Sequence, residues 1–343
     1  MKEDNQTNDP NKNIYEKYMK NIKQELSHTQ LSEEAQTKII NTGKQTARLT
    51  NILISLAILL LLLPMMTLFT YMYYGGISGK ANNYLEVVAK TIYVTEPNTS
   101  LEMMRIEDHI GLFSMEISFE TFKRIGKEDY KASDYKIPFS MSTPSFPKRT
   151  YYLERPLPTI PGIETETLFH PNARIPFGIS QEWEMLDKLP DGTVAEVYVS
   201  LSNLMEPQEL AASLPSETDL RWFAVHSGFE ARQLSRDGLP LTPIGYPAQI
   251  DKTTWSPFNG REQTNEQVFL EILELLEKNE EIAVKAARAK SLEISERLRF
   301  INEHGIQVYG AVVTGPVPEL RKLRGLDGIR AVKVGEVKLW NWK

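Results

Sequence analysis

The sequence predicts an α+β protein with a single-pass transmembrane helix, a short helical cytoplasmic tail and an extracytoplasmic module of the mixed α/β sandwich type. Three observations predict this fold: an uncharged apolar run, a polar tail before it, and a long C-terminal part in which strand-like and helix-like patterns alternate. We expect a tail over residues 1–50, a membrane helix over 51–74, a juxtamembrane and proline-rich region over 75–190, and a C-terminal α+β module over 191–343.

The tail contains two candidate helices. Residues 1 to about 12 are polar and rich in Asn, Asp and Lys, a composition that predicts disorder. Apolar residues then recur with helical spacing over residues 14–26, so an amphipathic helix is expected there. Ser32 is a typical N-cap and is followed by two glutamates, which favours a second helix that leads towards the membrane. Gly43 is expected to weaken that helix in its middle.

The apolar run over residues 52 to about 74 has the length and composition of a membrane anchor. It carries no charge, and at about 1.5 Å per residue a helix of roughly 20 residues crosses the ~30 Å hydrocarbon core of a bilayer. A secretory signal peptide would begin within the first few residues and would contain a shorter apolar stretch. Pro64 is compatible with a membrane helix, so we expect an uncleaved anchor.

The flanking charges predict the orientation of this helix. Cations are more frequent before the apolar run than close after it, and the side richer in Lys and Arg faces the cytoplasm. The residues concerned are Lys38, Lys44 and Arg48 before the run, and Lys80 and Lys90 after it. We therefore expect a cell-membrane protein with a cytoplasmic N-terminus and an extracytoplasmic C-terminus. Three tyrosines are expected at the outer headgroup level: Tyr71, Tyr73 and Tyr74.

Alternation and proline content predict the elements of the juxtamembrane region. Residues 112–122 alternate between apolar and polar side chains, as a half-buried strand does. Residues 138–176 contain eight prolines, and proline fixes φ and donates no backbone hydrogen bond. Extended connections and edge strands are therefore expected there, with a domain boundary within the same stretch.

The C-terminal module reads as strands that alternate with helices, and this order predicts a mixed sheet with helices over one face. The expected strands are 194–201, 220–226, 306–313 and 329–339, and the expected short helices are 207–214 and 318–323. A long helical pattern begins at a capping box formed by Thr264 and Gln267 and is stopped by Gly305. Because it is long for one helix, we expect a bend or a helical hairpin at 279–281.

Composition excludes several classes of function. The chain has no cysteine, which removes disulfides, Cys-ligated zinc and cysteine nucleophiles, and favours a bacterial envelope over a eukaryotic ectodomain. The formal net charge is −6, and Lys and Arg do not cluster with aromatic residues. No direct contact with nucleic acid is therefore expected.

The sequence contains no convincing catalytic, cofactor or metal-binding motif, so we expect a protein that is not an enzyme. Ser133 with Lys136, and Ser145 with Lys148, match the Ser-x-x-Lys pattern, but both copies lie in proline-rich surroundings without companion motifs. The histidines are scattered, and none has the spacing or the nearby carboxylates of a metal ligand. They are His28, His109, His170, His226 and His304.

The stripe of the tail helix is the candidate binding site. One interpretation is that the helix folds back onto the membrane surface or onto the second helix. The other is that the helix binds in a groove of a cytoplasmic protein partner, and aromatic residues in the stripe favour this interpretation. The residues that would contact the partner are Tyr15, Tyr18, Met19, Ile22 and Leu26.

The layout resembles the sigma-factor regulator family of Gram-positive bacteria over nearly the full length. The resemblance rests on residues 50–96, which include Tyr71-Met-Tyr-Tyr-Gly75, and on the C-terminal module. The module carries Ala195-Glu-Val-Tyr-Val-Ser-Leu201, Arg221-Trp-Phe-Ala-Val225, Tyr309-Gly-Ala-Val-Val-Thr-Gly-Pro316 and Ile329-Arg-Ala-Val-Lys-Val-Gly335. A chain without cysteine departs from the zinc-type anti-sigma domain, which needs a His-x-x-x-Cys-x-x-Cys cluster.

The resemblance implies a membrane-anchored anti-sigma factor. The tail would sequester an extracytoplasmic-function sigma factor in the cytoplasm and so regulate transcription, while the outer module would sense the envelope or a second membrane protein. The lipid bilayer is the other expected partner. The alternative is a structural, non-enzymatic component of the cell-wall or division machinery, which also combines a short inner tail, one span and an outer α+β module.

Overall fold

The computed structural model describes residues 10–28, 32–76, 79–102, 105–152, 168–232, 241–249 and 255–342. Contacts divide the chain into two compact units, Met1–Met65 and Met66–Lys343. Each unit has its own internal packing, and the two are described in turn. The predicted disorder of residues 1–9 lies outside the described part of the chain.

The first unit consists of helix α1, Pro10–His28, and most of helix α2, Glu33–Gly75. Helix α1 begins at Pro10, so residues 10–12 are helical and the predicted disorder is wrong there; proline is tolerated in a first helical turn. The Ser32 Oγ accepts a hydrogen bond from the Ala35 N–H at 3.3 Å, which confirms the predicted N-cap. Helix α2 continues through Gly43 and Pro64.

Helix α2 contains the apolar run and is, in the described part of the chain, the one helix long and apolar enough to cross a membrane. None of its most apolar stretch is buried by protein. The candidate membrane helix is thus continuous with the second helix predicted for the tail. A single helix from Glu33 to Gly75, at about 1.5 Å per residue, is roughly 65 Å long.

Two sheets form the β-structure of the second unit, as far as the structure describes it. One has six strands: β1 Thr99–Leu101, β2 Glu107–Ile110, β3 Ser114–Ile125, β4 Glu128–Ser140, β5 Thr143–Pro144 and β6 Lys148–Tyr151. The other has five strands: β7 Thr193–Met205, β8 Asp219–Val225, β9 Gly245–Pro247, β10 Val308–Pro316 and β11 Ile329–Leu339. Its strand order is β11-β7-β10-β8-β9.

The helices of the second unit connect and cover these sheets. They are α3 Lys80–Thr95, α4 Ile179–Lys188, α5 Pro207–Ser213, α6 Asn265–Lys278, α7 Glu280–Ala286, α8 Ile294–His304 and α9 Val317–Arg321. Buried side chains of both sheets and of α3, α6 and α8 share one hydrophobic core. Representative members are Val87, Ile92, Ile117, Val199, Phe269 and Leu298. Burial of apolar area of this kind is the main stabilising contribution to such a unit.

The five-stranded sheet corrects one prediction. A mixed sheet was expected from the alternation of strands and helices along the module, whereas every ladder that the structure describes in this sheet is antiparallel. The reason is that β10 lies between β7 and β8 and pairs antiparallel with both. The helical connection does make β7 and β8 run in the same direction, but a strand from much later in the chain separates them.

The long hairpin β3–β4 dominates the six-stranded sheet. Burial alternates strictly along β3, which confirms a strand here, although it begins at Ser114 and ends at Ile125 rather than covering 112–122. The partner strand β4 was not predicted, and Gly126 connects the two with a φ of 68°, a conformation that glycine adopts without strain. The short strands β5 and β6 pair with β4, as expected of edge strands in the proline-rich stretch. Residues 153–167 of that stretch lie outside the described part.

The helical pattern before Gly305 contains two breaks rather than one. The Gln267 N–H donates to the Thr264 Oγ1 at 3.3 Å and the Thr264 N–H to the Gln267 Oε1 at 3.1 Å, so the capping box is confirmed. The chain breaks at Asn279, as predicted, and again between α7 and α8. At the second break Arg288 and Glu293 have φ values of 54° and 53°, which no right-handed helix accommodates.

Candidate partner-binding helix and buried charge clusters

Helix α1 presents its apolar stripe to solvent. Tyr15 and Tyr18 are each 68% exposed, Met19 is 41% exposed and Ile22 is 45% exposed. Leu26 lies on the same helix, and its side chain is outside the described part. Spacings of three and four residues place these positions on one face of an α-helix. The structure therefore brings the predicted contact residues together as one face.

The exposed stripe bears on one of the arrangements predicted for the tail, in which it packs on the second helix. Side chains that pack on a neighbouring helix lose most of their exposure, whereas the stripe side chains from Tyr15 to Ile22 remain at least 41% exposed. Packing on the second helix is therefore not the arrangement in this structure. Leaving a large apolar side chain in water forgoes about 1.5–3 kcal/mol of burial free energy. The stripe thus has a strong tendency to bind an apolar surface.

The C-terminal turns of α2 are built into the second unit. Thr70 and Tyr74 are buried, and the Tyr74 hydroxyl donates to the Met141 carbonyl oxygen at 2.6 Å. The Phe113 N–H donates to the Thr70 Oγ1 at 3.1 Å. The sequence predicted Tyr74 at the level of the lipid headgroups, and the structure adds that protein covers its ring completely. Tyr71 on the same helix is exposed.

A buried ion pair joins the two sheets. The Lys123 Nζ on β3 lies 3.0 Å from the Glu196 Oε1 on β7, and the Asn98 Nδ2 donates to the same oxygen at 2.8 Å. The Glu196 side chain is almost fully buried. Burial disfavours the charged form of Lys123, but the carboxylate of Glu196 and the hydroxyl of Tyr198 together outweigh it and raise the pKa of the ammonium group. Both charges are thereby retained inside the unit.

Gly335 lies next to the buried ion pair of Lys123 and Glu196. It lies at an irregularity in the β11–β7 ladder, between Val334 and Val337. A Cβ atom at this position would lie 2.4 Å from the Glu196 Oε2. The sequence resemblance included Gly335, and the structure gives the physical reason for a glycine: the buried carboxylate occupies the space of a side chain.

A second buried carboxylate lies close to the end of β8. Glu230 accepts hydrogen bonds at its Oε2 from the Ser227 N–H at 2.8 Å and from the Phe229 N–H at 3.2 Å, and the His226 Nδ1 lies 3.2 Å away. Burial opposes its ionisation, but the bonds from His226 and Ser227 and the charge of Arg297 lower the pKa of Glu230 to about 2. Glu230 is therefore a buried carboxylate that stays ionised at neutral pH.

Arg297 is the cation of this second cluster. It is completely buried on α8, and its Nη1 donates to the Thr242 carbonyl oxygen at 3.0 Å. Its guanidinium group would be costly to bury without a negative charge nearby, and Glu230 supplies one. The sequence reasoning missed both clusters. One signal was available, because Glu196 stands within an otherwise largely apolar strand.

Three histidines that are scattered along the sequence lie close together in the fold, where they pack against aromatic rings. The ring centroids of His170 and His226 lie 4.8 Å apart. Phe300 meets His226 edge to face at 5.1 Å and stacks on His304 at 4.2 Å. Burial lowers the pKa of His170, and His226 lowers it further. His226 has one carboxylate neighbour, because its Nδ1 lies 3.2 Å from the Oε2 of Glu230, four residues on. Among the described residues, no group of three or more His, Cys, Asp or Glu side chains is arranged so that it could bind a metal ion.

The Ser-x-x-Lys motifs do not form the geometry that their chemistry needs, which is a serine at the start of a helix. Ser133 lies on β4, and its Oγ is 2.7 Å from the Thr121 Oγ1. Ser145 lies between β5 and β6. Neither serine is placed as a nucleophile in the part of the chain that the structure describes.

Comparison with known proteins identifies the family. The chain is 27% identical over 316 residues to the probable anti-sigma-M factor YhdL of Bacillus subtilis (strain 168), an alignment that covers 91% of this chain and 85% of that protein. No solved structure matches the chain. The family model described as sigma factor regulator N-terminal matches residues 37–130, and the one described as sigma factor regulator C-terminal matches residues 186–336. Together they cover well over half of the sequence and confirm the predicted resemblance: the chain belongs to the sigma factor regulator family.

Proposed function

We propose that this protein is a membrane-anchored anti-sigma factor whose helix α1 binds and sequesters a sigma factor. The observation that carries the proposal is the exposed apolar stripe of α1, in a chain whose next helix is long and apolar enough to cross a membrane. The name of the B. subtilis relative, a probable anti-sigma factor, supports the same role. No catalytic geometry among the described residues competes with it.

The proposed topology places α1 in the cytoplasm and the second unit outside. The excess of Lys and Arg before the apolar run supports this orientation. The partner is then a cytoplasmic sigma factor of the extracytoplasmic-function type. The second unit responds to the envelope or to a second membrane protein, and helix α2 connects it to the tail.

The proposed binding mode is a helix in a groove. Tyr15, Tyr18 and Ile22 would insert into an apolar groove of the sigma factor, with Met19 and Leu26 beside them. Tyrosine is enriched among residues that dominate binding energy, because it buries a large ring at low entropic cost. Lysines on the remaining helix surface, at positions 17, 20 and 23, would stay in water.

A charge placed in the stripe is expected to abolish most of the binding. The variant Ile22→Asp puts a carboxylate where an apolar side chain would be buried, which typically costs 2 kcal/mol or more at the centre of an interface. We expect the full chain in detergent to bind its sigma factor about 30-fold more weakly, as measured by titration of the purified sigma factor.

The matched control is Gln24→Asp. It adds the same charge to the same helix, but two residues on, which is about 200° around the helix axis. Its affinity is expected to stay within about threefold of the unmodified chain. Equal weakening by both variants would contradict the proposed contact face.

A deletion tests the role in cells. Removing residues 1–30 is expected to release the sigma factor and raise transcription of its target genes. Unchanged transcription would overturn the proposal. Specific capture of a division or cell-wall protein by the wild-type chain, with no sigma factor, would instead favour a structural role.

A further inference from the structure

Two turns lie side by side at one end of the six-stranded sheet. The turn 111–113 connects β2 to β3, and the turn 141–142 connects β4 to β5; we call them the hairpin tips. The Met141 N–H donates to the Phe113 carbonyl oxygen at 3.3 Å, so the tips are held together. Leu112 and Phe113 are each 46% exposed and Met141 is 40% exposed. The tips thus present a small, continuous apolar surface.

The backbone of the tips is strained in a way that exposes these side chains. Phe113 has a φ of 54° and Met141 a φ of 56°, in the left-handed region where glycine or asparagine is normally found. Exposure of bulky apolar side chains to water does not compensate for the free energy that this backbone conformation costs. Their presence indicates that another surface covers them.

The position of the tips identifies that surface. They contact the end of the candidate membrane helix, through the Phe113 N–H to the Thr70 Oγ1 at 3.1 Å and the Tyr74 hydroxyl to the Met141 carbonyl oxygen at 2.6 Å. Three neighbours of Thr70 on α2 are apolar and more than half exposed: Leu68, Phe69 and Met72. The tips contact α2 at the same height along its axis as these three side chains. Lipid that covers the side chains would therefore also reach the tips.

The tips carry no charge that would oppose contact with lipid. Residues 110–115 and 137–147 contain no Asp, Glu, Lys or Arg. The acidic residues of β2, Glu107 and Asp108, pair with Ser118 and Ile117, several residues away from the turn. Serines at positions 114, 140 and 142 can hydrogen-bond to headgroups. An apolar tip with a polar, uncharged rim is suited to the membrane interface.

We propose that the hairpin tips insert into the lipid surface where helix α2 leaves the bilayer, so that Leu112, Phe113 and Met141 form a second membrane contact beside the span. The occupant of this surface is phospholipid. The contact goes beyond the anti-sigma role and does not depend on it.

Fluorescence with the full chain in phosphatidylcholine vesicles tests the proposal. The chain has no cysteine, so Leu112→Cys introduces a single site for an environment-sensitive dye. The control is Lys127→Cys, in the turn at the opposite end of the same hairpin and about 40 Å along β3. We expect dye at position 112 to lose more than half of its emission when brominated phosphatidylcholine replaces the ordinary lipid, and dye at position 127 to lose less than a tenth.

Two outcomes would overturn the proposal. One is equal quenching at both positions. The other is weak quenching at position 112 that becomes strong when vesicles hold a single chain each. This result would show that a second copy of the chain, and not lipid, covers the tips. A further variant, Phe113→Asn, suits the left-handed backbone and removes the ring. In the Leu112→Cys background it is expected to halve the quenching, and unchanged quenching would contradict the contribution of Phe113.

Discussion

Replacing Lys123 by methionine is expected to lower the free energy of unfolding of the second unit by about 3–5 kcal/mol. The substitution leaves the Glu196 carboxylate almost fully buried, with the Asn98 amide still bound but without a cation. Breaking a buried pair from one side costs far more than the pair itself contributes, because the remaining charge cannot be solvated. Chemical denaturation of the full chain in detergent, followed by tryptophan fluorescence, to which the buried Trp222 contributes, measures the change.

Lys127→Met is the matched control for this prediction. Lys127 lies in the turn of the same hairpin and pairs with Asp219 at 2.7 Å, but its side chain is 40% exposed. Exposed pairs contribute at most about 1 kcal/mol, so the loss is expected to stay below that value. The double variant Lys123→Met, Glu196→Gln is expected to regain part of the lost stability. If it were as unstable as Lys123→Met alone, the buried charge would not be the cause.

The second large effect is expected from Glu230→Gln. Glutamine keeps the shape but removes the charge that faces the buried Arg297. Lowering the pKa of Glu230 from 4.5 to about 2 corresponds to roughly 3 kcal/mol of stabilisation of the folded state. We expect the variant to lose about that much at pH 7 in the same denaturation experiment.

The pH dependence identifies the origin of this loss. Since the pKa of Glu230 is lower in the folded than in the unfolded chain, its contribution is present above pH 4.5 and is lost as the pH falls towards 2. The difference between wild type and Glu230→Gln should therefore shrink steadily over that range. A difference that stays constant with pH would assign the loss to packing. The control is Glu303→Gln, on the exposed surface of α8, which is expected to change the stability at pH 7 by less than about 0.5 kcal/mol.

Local signals predicted the elements, and distant contacts decided the rest of the fold. Ser32 and Thr264 were recognisable as caps because a cap depends on residues within one helical turn. The antiparallel order of the five-stranded sheet was not predictable in the same way. Strand β10 lies about a hundred residues after β7, and nothing local shows that it inserts between β7 and β8.

The same difference between local signals and distant contacts applies to the candidate site. The stripe of α1 was predicted residue by residue, because helical spacing alone places Tyr15, Tyr18 and Ile22 on one face. The charge clusters were missed, because Lys123 and Glu196 are 73 positions apart and become partners only when two sheets pack together. His226 and Glu230 are close in sequence, but the turn that joins their side chains belongs to no regular helix.

The burial of Thr70 and Tyr74 bears on how a protease could reach the end of the span. Proteolysis requires a segment to leave its folded surroundings, and buried helical turns open rarely. While Tyr74 holds the Met141 carbonyl oxygen and Phe113 holds Thr70, the last turns of α2 are protected from cleavage. Any event that separates the hairpins from α2 would remove these two hydrogen bonds and expose the last turns of the helix to proteases.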